Sequence, residues 1–105
     1  MSDIHRVSAE AVREKVTSGN ALLVCAYDDD GKYGRMNLEG SVSLSQFKSE
    51  ISRTATEREI IFYCGWPAEA SAAGRAEDYK KEGFQNVKVL GGGVEAWKNS
   101  GYPVL

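Results

Sequence analysis

The chain has 105 residues, enough for one domain with one core, and 1–105 is read as a single unit. Hydrophobic residues are 42% and charged residues 27%, which excludes a disordered chain. A net charge of −2 leaves no basic footprint for nucleic acid or an anionic membrane. No apolar run approaches the roughly 20 residues that cross a bilayer. The start, "MSDIHRVSAEA", lacks the apolar core of a secretory signal. The expected location is the cytoplasm, where two cysteines stay mainly reduced. Those two cysteines and a single distant His5 do not make a zinc site, so no metal and no cofactor are expected.

In chain order, "HRV" at 5–7 suggests a short edge strand. "SAEAVREKVTSGN" follows as a helix, with Ser8 as N-cap, early Glu10 and Glu14, and Ala11, Val12 and Val16 near one face. Gly19 supplies its stop. "ALLVCAY" at 21–27 is almost wholly apolar, as in a strand buried on both faces of a parallel sheet. "DDDGKYGRMN" at 28–37 reads as loop. "GSVSL" at 40–44 suggests another short strand, and "SQFKSEIS" at 45–52 a short helix with Phe47 and Ile51 four apart. The run "EIIFY" at 59–63 is a strand, and an alanine-rich helix is expected from about Ala68 to Glu82, ended by Gly83. "NVKVL" at 86–90 alternates like a strand, "GGG" at 91–93 turns sharply, and "VEAWKN" at 94–99 forms a last short helix. Strands alternating with helices predict an α/β fold with a mainly parallel sheet.

The stretch "IIFYCGWPAEASAA" places Cys64 where a strand runs into a turn and then a helix. In open α/β sheets ligands gather beyond the carboxyl ends of strands. Backbone N–H groups of a turn and first helical turn lack intrahelical partners and can stabilise a thiolate, a persulfide anion or an oxyanion. Gly65 permits the turn without Cβ crowding, and Pro67 suits a helix start. The plain alternative is a small buried hydrophobe, a common fate of cysteine. The glycine turn and the immediate helix tip the balance toward a reactive thiol.

With "IIFYC" followed by "AAGRAEDYKKEGFQNVKVLGGGVEAWKNSGYPV", the sequence resembles a single-domain rhodanese over nearly its whole length. The pattern "GF.NV..L.GG..AW...GYP" is characteristic of that family, and "LEGSVSL" resembles its segment "GHIPGAINI". The resemblance implies a three-layer α/β fold with about five mainly parallel strands flanked by helices. It implies that Cys64 carries sulfane sulfur as a persulfide, loaded by a small-molecule or protein donor and unloaded by a thiol acceptor. Gly65, Trp66, Pro67, Ala68, Glu69 and Ala70 would form the substrate-binding loop. That loop departs from the family pattern, since it has no arginine and holds Glu69. The usual Asp-Val-Arg segment is replaced around Cys25 to Tyr27. Thiosulfate is therefore expected to be a weak donor. The loop is similar to an atypical Cys-x-x-Pro subgroup, some members of which carry a second cysteine or a selenocysteine where this chain has Trp66.

Cys25 ends its strand beside the strand of Cys64 in this layout, and two readings stay open. It is either a buried core thiol or a resolving thiol able to form a disulfide with Cys64. Trp97, Phe84 and Tyr102 read as core, and Asp28, Asp29 and Asp30 as a solvated loop. The leading function is a sulfurtransferase or persulfide carrier working through Cys64. The alternative is a non-catalytic module of the same family that binds a protein partner. A phosphatase or arsenate reductase needs an arginine about six residues after the cysteine, where Ala70 stands.

Overall fold

The computed structural model describes residues 4–65 and 70–105. Five strands, β1 (His5–Val7), β2 (Ala21–Cys25), β3 (Ser41–Val42), β4 (Glu59–Tyr63) and β5 (Val87–Leu90), form one sheet in the order β1-β5-β4-β2-β3. Every pairing between them is parallel. The helices are α1 (Ala9–Thr17), α2 (Asp30–Arg35), α3 (Leu44–Glu50), α4 (Ala70–Lys81) and α5 (Gly93–Asn99), with a short 3-10 turn at Ile51–Arg53. The expected α/β sheet flanked by helices is thus present, and it is wholly rather than mainly parallel.

The pleat sorts the core into two layers. Val24, Ala26, Ile60, Phe62, Cys64 and Val89 pack on one face against Phe47 of α3 and Ala72, Ala76 and Tyr79 of α4. Small alanines let α4 approach the sheet, and Phe62 stacks on Tyr79 with ring centroids 5.6 Å apart. Leu23, Cys25, Ile61, Tyr63 and Leu90 face the other way, against Val12 of α1 and Val94 and Trp97 of α5. All of β4 is buried, which is why it reads as an unbroken apolar run after Glu59.

Local chemistry sets the element ends. Ser8 Oγ accepts the Ala11 N–H at 3.2 Å and starts α1 as expected. Residues 28–37 depart from the expected loop: Asp29 accepts the Gly31 N–H at 2.8 Å and caps α2. The strand expected over 40–44 shrinks to two residues because Ser43 caps α3 by accepting the Gln46 N–H at 3.1 Å. Of the three aspartates, Asp30 accepts from Ser45 Oγ at 2.9 Å, and Asp28 lies 3.7 Å from Lys48. The tail folds back over residues 37–39. Leu38 bridges Val104 antiparallel, and the Glu39 and Leu105 N–H groups donate to the Pro103 and Asn37 carbonyls. No helix among the described residues is long and apolar enough to cross a membrane.

At the amino end of β4, Glu59 is only 8% exposed and takes hydrogen bonds from Lys15 at 2.9 Å and Lys88 at 2.5 Å. Burial pushes its carboxyl up, but the two ammonium groups outweigh that and leave it below the ordinary value. A native carboxyl that ionises more readily than the unfolded one stabilises the fold above the unfolded value. That stabilisation is lost as pH falls through the acid range toward the lower native value. Glu59→Gln should cost about 1–3 kcal/mol at neutral pH and flatten the acid side of the stability profile, read by urea unfolding at stepped pH.

Candidate functional site

Cys64 lies one residue beyond the last β2–β4 pair, Cys25 with Tyr63. The ladder ends with the Ala26 N–H donating to the Tyr63 carbonyl at 2.9 Å, so Cys64 stands at the carboxyl edge of the central strand. Its own carbonyl accepts the Val94 N–H, in the first turn of α5, at 3.1 Å. The triple glycine makes this contact possible. Gly92 and Gly93 adopt left-handed φ values of 79° and 62°, which turn the chain from β5 into α5 beside Cys64.

Gly65 continues the turn, and its N–H donates to the Tyr27 hydroxyl at 3.3 Å. A Cβ built on Gly65 would stand 2.7 Å from Met36 Sδ and 3.7 Å from the Tyr27 hydroxyl, so side chains crowd this backbone directly. Trp66, Pro67, Ala68 and Glu69 lie outside the described residues, and Ala70 opens α4. Arg75 points back toward the site, where its Nε donates to the Ala26 carbonyl at 3.2 Å. A second guanidinium nitrogen lies 3.9 Å from Asp78. The one arginine of α4 thus ties that helix to the end of β2.

The structure does not put the two cysteines on one face. Pairing with Tyr63 gives Cys25 the phase of the α1–α5 layer, whereas Cys64 joins the α3–α4 layer. The two thiols, expected side by side, thus join different core layers, while Cys64 itself lies past the ladder. Burial pushes the Cys25 thiol up, with smaller opposing effects from hydrogen bonds with the Tyr27 backbone and the Tyr63 side chain. Cys25 is therefore a protonated thiol at neutral pH, the weaker nucleophilic form. Below it, the Tyr63 hydroxyl donates to the Met36 carbonyl at 2.8 Å and lies 3.2 Å from Ser41 Oγ. Burial drives this phenol far above its usual range, so it stays a donor and holds the Met36 segment in place.

Beside Gly65 opens a cavity of about 280 Å³, lined among the described residues by Tyr27, Lys32, Met36 and Gly65. Three of these residues are missed by reading the sequence alone. Their signal was slight: Tyr27 follows the β2 strand by two residues, and Lys32 and Met36 are four apart after a capping aspartate. No group of three or more metal-ligating side chains occurs among the described residues.

The family model for the rhodanese-like domain matches residues 8–100. The chain belongs to the rhodanese-like family. Similar folds occur in several solved structures. A protein from Bacillus halodurans is 22% identical with a TM-score of 0.77, over 96% of this chain and 76% of that one. A rhodanese-related protein from Thermoplasma volcanium is 16% identical, TM-score 0.73, over 96% and 97%. A protein of unknown function from Rhodopseudomonas palustris, described as a possible tyrosine phosphatase, is 20% identical, TM-score 0.76, over 97% and 85%. At such identities the likeness is one of fold. No curated protein matches the chain.

Two outcomes test how this rhodanese-like site is built. Gly92→Ala forces a left-handed φ on alanine and brings its Cβ to 2.7 Å from Ala96. It should cost about 1–3 kcal/mol in thermal or urea unfolding. Under native alkylation at neutral pH, Cys64 should be labelled before Cys25, as peptide mapping would show. Cys25 is fixed inside the ladder, while Cys64 lies past it. Labelling of Cys25 first would contradict this assignment of the reactive thiol.

Proposed function

We propose that this rhodanese-like domain is a sulfurtransferase or persulfide carrier with Cys64 as the sulfur-accepting nucleophile. The observation that carries the reading is the position of Cys64 at the carboxyl edge of the central strand, its carbonyl anchored by the first turn of α5. The Cys64 thiolate attacks the outer sulfur of a donor persulfide. A bond forms from Cys64 to that sulfur, the donor S–S bond breaks, and its electron pair leaves with the donor thiolate. With thiosulfate the leaving group is sulfite. An acceptor thiolate then attacks the sulfur held on Cys64, which departs as thiolate.

Residues 64–70 hold no arginine, and Arg75 is engaged with Ala26 and Asp78. Thiosulfate, a small dianion, therefore meets no arginine from that loop. The same lack of a loop arginine weighs against phosphatase chemistry. The opposite-face placement of Cys25 favours unloading by an external thiol, on a small molecule or a protein, over a resolving role for Cys25.

The second reading, a partner-binding module without sulfur transfer, is favoured by the burial of Cys64, which is 1% exposed. Intact-mass spectrometry separates the two readings. The wild-type protein should gain one sulfur, quickly from an organic persulfide and slowly from thiosulfate, while Cys64→Ser gains none. A folded wild-type protein that gains no sulfur from either donor leaves the binding module as the reading.

A further inference from the structure

A second cavity, of about 320 Å³, lies toward the opposite end of the sheet from Cys64. Its lining includes Leu22, near the start of β2, and Arg58, the residue before β4. Arg58 and Cys64 flank β4 at its two ends, about 20 Å apart at roughly 3.3 Å per residue. Part of the lining is apolar and fixed. Leu22 is held in the ladder opposite Ile60, and Val42 opposite Val24. Phe47, only 2% exposed, is packed among the rings of Phe62, Tyr79 and Phe84. The rest is polar. Thr54 closes the 3-10 turn, its hydroxyl donating to the Glu50 carbonyl at 3.0 Å. Arg53 and Arg58 both line the cavity. Arg58 Nη1 donates to the Gly19 carbonyl at 2.9 Å, which fixes a guanidinium that has further N–H donors. No carboxylate among the described residues forms an ion pair with either arginine, although Glu50 also lines the cavity.

We propose that this cavity binds a small organic acid, a single carboxylate on a short apolar chain. Two guanidinium groups against the one carboxylate of Glu50 leave the lining short of one negative charge. A carboxylate supplies it and meets a guanidinium through parallel N–H donors, a match that a neutral head group lacks. A dianion would overshoot, leaving negative charge in excess beside Glu50. The chain of the acid lies on Leu22, Val42 and Phe47 and takes their surface out of water. The volume equals that of roughly ten waters, so an acid of about eight carbons fills it. Binding here neither uses Cys64 nor depends on sulfur transfer.

The test follows the methyl resonances of Leu22 and Val42 by NMR while the whole chain is titrated with octanoate, 1-octanol or octylammonium. These probes share a chain and differ in the charge of the head group. Octanoate should shift both methyl sets saturably and bind at least about threefold tighter than 1-octanol, with octylammonium weakest. Raising salt should narrow the gap between octanoate and 1-octanol. Arg53→Gln and Arg58→Gln should each weaken octanoate about two- to fivefold and leave 1-octanol unchanged. The same spectra report whether each variant keeps its fold, and Arg53 is exposed, so at least that one is expected to. Glu50→Gln should tighten octanoate, because it removes the opposing charge. Octanoate that shifts neither methyl set, or that binds no tighter than 1-octanol, overturns the site. If neither arginine variant weakens octanoate, the arginines do not hold the carboxylate and the proposal falls. Octylammonium binding tighter than octanoate would make Glu50 the anchor and overturn it as well.

Discussion

The hydrogen-bonded ladder between β2 and β4 is the constraint on which the site depends. It fixes which residue of β4 is last in the sheet, and so where the chain is first free to turn. Five residue pairs, from Ala21 with Glu59 to Cys25 with Tyr63, set the register. A slip by one would exchange the faces of every β4 side chain. Phe62 would leave the aromatic cluster of Phe47 and Tyr79, and Tyr63 would lose Ser41 and the Met36 carbonyl. The Lys15–Glu59–Lys88 group pins the same strand at its other end. The thiol is thus positioned by interactions made along the whole strand.

Around that fixed point, the chain closes the carboxyl edge from three directions. The first turn of α5 holds the Cys64 carbonyl, Tyr27 holds the Gly65 amide, and Arg75 fastens α4 to Ala26. Each is a contact to backbone, so each shapes the turn without depending on the thiol's state. The arginine nearest the site in sequence, Arg75, thus serves to fasten α4, through Ala26 and Asp78.

Much of this was legible in the sequence. β2 and β4 appear as unbroken apolar runs because both faces of a parallel sheet are covered, and Ser8 and Gly83 mark helix ends by their chemistry. α2 was hidden because Gly31, Gly34 and three aspartates carry loop signals, while the single cap at Asp29 decides the outcome. The cavity was hidden for another reason. Tyr27, Lys32, Met36 and Gly65 come together only through the β2–β4 pairing, which brings residues 27 and 65 into contact. The relation of Cys25 to Cys64 turned on a one-residue offset in register, which strand-end positions cannot supply. The residues 66–69 of the Cys64 loop lie outside the described structure.

The pairing of β1 with β5 has a temporal consequence. His5, Arg6 and Val7 lie against Lys88, Val89 and Leu90, so the first strand of the sheet is held by the strand made last. During synthesis β1 must wait while β2, β3 and β4 emerge and associate. The sheet reaches its final width only when β5 follows, and α5 comes later still. Such long-range closure is slow to nucleate. The amide that holds the Cys64 carbonyl belongs to Val94, so this turn cannot be completed until α5 has been made. A nascent chain therefore carries the cysteine well before it carries the surroundings that define its geometry.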